Sequence, residues 1–437
     1  MEKERERGRE ANMRTSSSSS KPASVPAIVF RCSTRNTVYE VLKRRPGWVE
    51  TQDDVEWDLC WADVGWVRDI YDQIQMDDDQ RLNHFPNHYE LTRKDLMVKN
   101  LKRMRKQLER KYCHAEASSY WSFWTGTFVL PSEYGMFVEE FKRSPGAVWI
   151  MKPIGKAQGK GIFLFNKLSQ ISEWKKDHRW KADQPQAETY IAQRYVENPY
   201  LIGGKKFDLR LYVLVTSFNP LTVWLYSRGS ARFSGSRYCN DRAKLANLYV
   251  HLTNVAIQKK AGDYDKDVGC KWDLHSLKVF MTIKHGKHVV DGLFYEIQSL
   301  ITRSLLSVQK TIIHDKHCFE LYGYDVLVDM NLKPWLLEVN ASPSLSAENP
   351  LDHALKTQLI EDVLDVVDLE GRFKGDEQRV GGFRLIWANG PTDTRAIGGY
   401  STFLGTEKAR PRTTPRSAAA AEAMSAKDEA SDPIVGV

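Results

Sequence analysis

Three residues in the second half of the chain have side chains suited to holding a divalent cation: Asp325, Glu338 and Asn340. They lie in "YDVLVDMNLKPWLLEVNASPSLS" (324–346), where two apolar runs, "DVLVD" and "WLLEV", flank the turn "MNLK". Paired around that turn, Asp329 stands opposite Pro334, and the same register sets Asp325 opposite Glu338. Asn340, two positions along, shares their face. Facing carboxylates repel, and a buried charge without a partner costs several kcal/mol, on the order of the whole stability margin. A cation between them removes the conflict. So few oxygen ligands suit Mg2+, with nucleotide phosphates and water completing the shell. The competing reading is a solvated sheet face.

Phosphate-binding chemistry lies upstream. Lys152 follows the apolar strand "VWIM", and "GKAQGKGI" (155–162) has three glycines and two lysines, a loop whose amides suit phosphate oxygens. Neither G-x-x-x-x-G-K-[ST] nor the H-R-D and D-F-G pair occurs, which sets aside P-loop and protein-kinase sites. In "QRYVENP" the backbone near Tyr195 and Val196 offers an edge for adenine. "KFDLRLYVLV" puts Lys206, Asp208 and Arg210 on one face of a strand, and "HLTN" adds Thr253 and Asn254.

The elements that must position these residues are strands with interspersed helices. "AIVFRCS" opens the folded region, 148–165 reads as strand, Gly-rich turn and strand, and 190–233 as successive strands. Helical spacing covers 291–312 and 353–369. Strands and helices without strict alternation predict an α+β fold, not a doubly wound sheet. Trp48, Trp57, Trp61 and Trp66 are expected in core and turn packing. Residues 1–24, charged and then Ser-rich, and 373–437 read as mostly disordered tails.

The chain has 437 residues and a net charge of +7, enough length for a sizeable core and a balance suited to an anionic partner. No apolar run reaches the length of a membrane span, and "MEKERERGRE" lacks a signal-peptide core. Six cysteines without a CxxC pair read as reduced thiols of a cytosolic-type compartment, with no zinc site. Residues 93–111 hold nine Lys or Arg against two acids, with Met97, Leu101, Met104 and Leu108 at helical spacing. That is an amphipathic helix with a basic outer face, suited to a polyanion. No nucleic-acid reading motif accompanies it.

The blocks "NHFPNHYELTRKDLMVKN", "WIMKPIGKAQGKGI", "QRYVENP", "KFDLRLYVLV", "GSARF", "HLTN" and "KPWLLEVNASPSL", in this order, resemble the tubulin tyrosine ligase-like family of the ATP-grasp superfamily across roughly 60–370. The resemblance is nearest to the short glutamate-adding members. It implies a nucleotide held between a central domain (119–192) and a C-terminal domain (193–372), with a smaller N-terminal domain (25–118). It also implies ATP and Mg2+ as cofactors and joining of free L-glutamate to glutamate side chains of tubulin tails, through an acyl phosphate. By that resemblance Lys152 meets nucleotide phosphate, Gln158 and Gly159 form the covering loop, and Gln193, Arg194, Tyr195 and Val196 hold adenine. Lys206 and Asp208, with Thr253 and Asn254, lie near the nucleotide, and Asp325, Glu338 and Asn340 hold magnesium. Arg210 and Arg232 face the acyl phosphate and incoming amino acid. Lys271 contacts glutamate, and Lys356 is a further candidate. Cytoplasm, cytoskeleton and cilium or flagellum are the implied locations, with accessory subunits in some settings. A glycine-adding enzyme of the same fold and a non-catalytic microtubule-binding subunit are the alternatives.

Overall fold

The computed structural model describes residues 27–112, 114–171, 189–261, 270–347, 349–392 and 402–407. The N-terminal tail and residues 408–437 lie outside them. Three sheets organise the described residues. The N-terminal one has four parallel strands, in the order Trp48–Glu50, Ile28–Cys32, Leu59–Trp61 and Arg81–Leu82. This part is wound on both sides of its first strand, which the α+β reading did not anticipate. Its strands are two to five residues long, too short for a period to register.

A second, antiparallel sheet has the order Thr127–Leu130, Tyr190–Arg194, Trp149–Pro153 and Phe163–Phe165. Phe137, on helix Tyr134–Arg143, packs in its core with Trp149 and Phe165. The third sheet has eight strands around the hairpin Lys205–Phe218 and Leu221–Phe233. On one side of the hairpin lies Glu320–Val328 and then Pro334–Asn340; on the other lies Phe383–Ala388 and then Arg379–Val380. Reading 373–437 as mostly disordered is therefore corrected over 379–388: Val380 and Phe383 enter the core, because "FRLIW" buries its apolar side against the hairpin.

Alternation along Lys205–Phe218 divides the sheet's two faces. Leu209, Leu211, Val213 and Val215 face a core shared with helix Lys287–Val308 and with Met97 and Leu101 of helix Lys94–Lys111. The basic helix is thus seated by the apolar stripe expected of it, with Met104 and Leu108 partly buried on the same core. Trp48, Trp57 and Trp61 are buried as anticipated, and Trp66 packs against the core edge. The opposite face carries Asp208, Arg210, Tyr212 and Leu214. Tyr212 and Leu214 lie under Leu355 and Leu359 of helix Pro350–Val367. That helix starts with a cap: Asn349 accepts from the Asp352 amide, and Pro350 follows at the first turn. Asp208 and Arg210 lie beyond this apolar cover. Each apolar side chain in such a position would contribute about 1.5–3 kcal/mol, so charges there need another reason.

Candidate active site

The sequence-predicted residues gather at one cleft of about 910 Å³, open to solvent at its mouth. Fourteen of the predicted positions line it: Lys152, Gln158, Gly159, Gln193, Arg194, Tyr195, Val196, Lys206, Asp208, Thr253, Asn254, Asp325, Glu338 and Asn340. The four-stranded antiparallel sheet supplies the first group, the eight-stranded sheet the acids, and the segment after helix Leu248–His251 supplies Thr253 and Asn254.

Two buried lysines face each other's surroundings at its base. Lys152 Nζ donates to Gln193 Oε1 at 2.7 Å. Lys206 Nζ donates to Tyr195 OH at 2.9 Å and to the His251 carbonyl at 2.8 Å. All three acceptors are neutral. Burial pushes the Lys152 ammonium down to about 8, against the pull of Glu338. Burial pushes Lys206 to about 7, opposed by Asp208 and reinforced by the Lys152 charge. Two ammonium groups starved of water and of hydrogen-bonded acids fit a polyanion.

The carboxylates are more fully engaged than their sequence suggests. Asp325 accepts from Arg210 Nε (2.7 Å) and Nη2 (3.1 Å) and lies 2.9 Å from Arg232 Nη2. Burial pushes the Asp325 carboxyl up, but the two guanidiniums outweigh it and hold the group well below the usual carboxylate range. Arg232 also clasps Asp208 at 2.7 and 2.6 Å, and Thr253 Oγ1 donates to Asp208 at 2.8 Å. Glu338 lies 3.4 Å from Lys94 Nζ. Facing acids therefore do meet here, but protein cations balance much of their charge; a metal is not required to reconcile them. Asn340 Nδ2 donates to the Gly323 carbonyl, which leaves its Oδ1 for a cation. With Asp325 and Glu338 this donor set, all hard oxygen, fits Mg2+.

The hairpin register also needs correction at its tip. Val328, not Asp329, pairs with Pro334, followed by Leu327 with Trp335 and Val326 with Leu336. An irregularity at Leu337 then restores Asp325 opposite Glu338. Without that extra residue Glu338 would turn to the far face, so the bulge is what delivers the acid. Asp329 instead holds the turn, accepting from the Asn331 and Lys333 amides and from Trp335 Nε1.

Four further residues stand apart from the lining. Arg210 and Arg232 lie behind Asp325 and Asp208, locked to these acids, so their reading as groups facing substrate directly is not what this geometry presents. Lys271 is opposite Arg232 on the neighbouring strand Lys271–Asp273 and lies 3.3 Å from Asp352. Lys356 donates to the same Asp352 at 2.8 Å, so these two candidates meet on one acid. Arg194 reaches the cleft, while its guanidinium donates to Ser144 at the surface; its part there is backbone. Sequence reasoning missed Lys94, Lys156 and His251 in the lining. Lys94 opens the basic helix and was read only as part of its face.

The covering loop depends on backbone shape. Gln158 has φ +60° and Gly159 φ +78°. A Cβ on Gly159 would stand 2.4 Å from Ile257 Cδ1 and 3.3 Å from Asn254 Oδ1. Gly159→Ala is thus expected to weaken nucleotide binding about tenfold, the equivalent of 1.4 kcal/mol of loop strain, with little change in melting temperature. Calorimetric titration with a non-hydrolysable nucleotide checks it.

Comparison with known proteins identifies the family. The family model described as "Tubulin-tyrosine ligase family" matches residues 72–374. A rat protein named "Probable tubulin polyglutamylase TTLL9" (Rattus norvegicus) is 52% identical over 392 residues, covering 83% of this chain and 84% of its own length. The nematode "Probable tubulin polyglutamylase ttll-9" (Caenorhabditis elegans) is 47% identical, at 85% and 88% coverage. A ciliate "Probable alpha-tubulin polyglutamylase Ttll1" (Tetrahymena thermophila) is 46% identical, at 78% and 88%. The chain belongs to the tubulin-tyrosine ligase family.

Proposed function

We propose that the protein is a tubulin polyglutamylase, an ATP-dependent ligase of ATP-grasp type that adds glutamate to glutamate side chains of tubulin tails. The observation that carries this reading is the cleft itself. Lys152 and Lys206, buried without an acid in hydrogen-bond contact, sit across from Asp325, Glu338 and Asn340. Phosphates would be held by Lys152 and Lys206 under the Gln158–Gly159 loop, and adenine by the backbone at 193–196. Asp325, Glu338 and Asn340 would hold Mg2+, which when bound offsets phosphate charge.

In the reaction the acceptor carboxylate attacks the γ-phosphorus of ATP, the bond to the β-phosphate oxygen breaks, and ADP leaves. The neutral amine of free glutamate then adds to the acyl phosphate; phosphate departs, a proton is released, and an isopeptide remains. Carboxylate, triphosphate and tetrahedral intermediate are all anionic, so positioning and charge stabilisation are the main demands on the protein. Arg210 and Arg232 serve that demand indirectly, by fixing Asp325 and Asp208. The test is mass spectrometry of tubulin tails after incubation with purified full-length protein, ATP, Mg2+ and glutamate. Added glutamates support the reading, added glycines would make the protein a glycine-adding enzyme, and microtubule binding without modification would make it a non-catalytic subunit.

The basic helix suits an acidic tail through its outer face. Of the charges along it, Lys102 is held by Glu133, Arg103 by Thr311 and Ser307, and Arg105 by Glu109. Lys99, Lys106 and Arg110 are exposed and are the groups suited to long-range attraction. Changing these three to Glu is expected to raise the microtubule KM about tenfold or more at low salt, with the ATP KM unchanged. The effect should shrink at high ionic strength.

A further inference from the structure

Besides Lys206 in the cleft, five cations among the described residues stand on the sheet face bearing Asp325 or on the helix end beside it, and four of them are matched by acids: Arg210 by Asp325, Arg232 by Asp208 and Asp325, and both Lys271 and Lys356 by Asp352. The fifth, Arg228, is only 4% exposed, and neither its Nε nor its Nη2 has a hydrogen-bond partner. A buried guanidinium in that state is a standing cost, retained where a partner arrives from outside.

Its place in the strand fits such a partner. Along Leu221–Phe233, Arg232 stands opposite Asp208 and Lys271, and Ser230 opposite Arg210 and Asp273. Arg228 is the next residue on that face, before Tyr226 enters the apolar cluster with Tyr212 and Leu355. The strand bows at this point: Leu211 pairs with Gly229 and Val213 with Leu225, so Tyr226–Arg228 stand opposite Tyr212 alone. Such bulges re-aim side chains beside active sites. Gly229 permits it, since a Cβ there would lie 2.5 Å from the Arg210 carbonyl oxygen. The backbone next to Arg228 is thus pressed against that of Arg210, at the edge of the charged cluster.

We propose that Arg228 binds a carboxylate of the incoming amino acid. The proposal rests on the ligase reading above. A free diacid needs cations not already neutralised, and among the described residues on this face Arg228 is the one without an acidic partner besides Lys206, which lies in the cleft and is assigned to phosphate. A planar guanidinium with two adjacent open N–H groups matches a carboxylate in bidentate fashion.

The test uses full-length protein, microtubules, ATP and Mg2+, with glutamate varied. Arg228→Met is expected to raise the glutamate KM at least about 30-fold, leaving the ATP KM within about twofold. Arg228→Lys keeps the charge without the fork and falls between. A merely structural role would lower the melting temperature and the active fraction of both variants while leaving the glutamate KM in place; that result overturns the proposal, as does a parallel rise in both KM values. If Arg228→Met does not fold, Arg228→Lys decides by the same criterion. Isoglutamine and glutamine, each lacking one carboxylate, identify which one is held: the analogue whose use Arg228→Lys leaves unchanged lacks it. Wild-type enzyme that incorporates no glutamate would bring down the ligase reading itself, a failure visible before any variant is made.

Discussion

Glu338→Gln is expected to slow glutamate ligation at least about a thousandfold while moving the melting temperature little. The side chain is 22% exposed at the cleft, and its ion-pair partner Lys94 stands 3.4 Å away. A pair that loose and wet contributes about 0–1 kcal/mol to folding, so the fold has little to lose. On the proposed reading the reaction has much more to lose, since Glu338 would supply one of the three oxygen donors to Mg2+ and the amide that replaces it carries no charge. Asp325→Asn makes an instructive contrast. It would leave Arg210 and Arg232 without the acid that joins them, a loss of the kind that costs about 3–5 kcal/mol in a buried network. Its inactivity would mix unfolding with chemistry, whereas that of Glu338→Gln would not. Labelled-glutamate incorporation alongside a thermal melt separates the two variants. Wild-type turnover by Glu338→Gln would remove the hairpin from the reaction.

The pairing of Asp325 with Glu338 was legible from the sequence, but for an incomplete reason. A regular hairpin counted back from Asp329 and Pro334 gives that pair, yet the register at the tip is offset by one residue and the bulge at Leu337 compensates. Bulges leave no period in the sequence, so two departures cancelled. Strand identities in 205–233 were legible because the apolar runs "LYVLV" and "LTVWLY" are rich in β-branched and aromatic residues and flank the turn "NP". What the sequence concealed was pairing between distant segments. Nothing in "FDLRL" says that Arg210 will meet Asp325, 115 positions away, or in "LTRKD" that Lys94 will approach Glu338. The repulsion argument therefore found two acids that do face each other and overestimated their need for a metal, since protein cations already balance them. "AIVFRCS" holds the first parallel strand as expected, but its short partners at 48–50, 59–61 and 81–82 and the strands at 379–388 were missed for a simpler reason: segments of two to six residues carry too few alternations to stand out from a tail or a turn.

Nucleotide affinity is expected to fall, and the stability of the nucleotide-free protein to rise, as pH increases from 7 to about 8.5. Both follow from Lys206 and Lys152, which burial pushes to about 7 and about 8 from an ordinary value near 10.5. In the unfolded chain both stay protonated across this window. The folded, empty protein sheds first the Lys206 proton and then the Lys152 proton, so the unfolded state binds more protons and stability increases with pH, by up to about 1.4 kcal/mol per unit for each lysine. Below about pH 7 both lysines are charged in both states and the slope vanishes. Binding has the opposite sign. Phosphates hold both ammonium groups charged, so the complex takes up protons, and affinity drops about tenfold per pH unit for each lysine once its empty-state value is passed. Titration calorimetry at pH 8, in two buffers of different ionisation enthalpy, should register uptake of between one and two protons per nucleotide analogue bound. Lys206→Met should remove about one of them and flatten the dependence between pH 7 and 8, leaving the Lys152 limb above it. Proton uptake near zero at pH 8 in the wild-type protein would mean that the lysines keep their charge in the empty cleft, and the polyanion reading of that cleft would lose its main support.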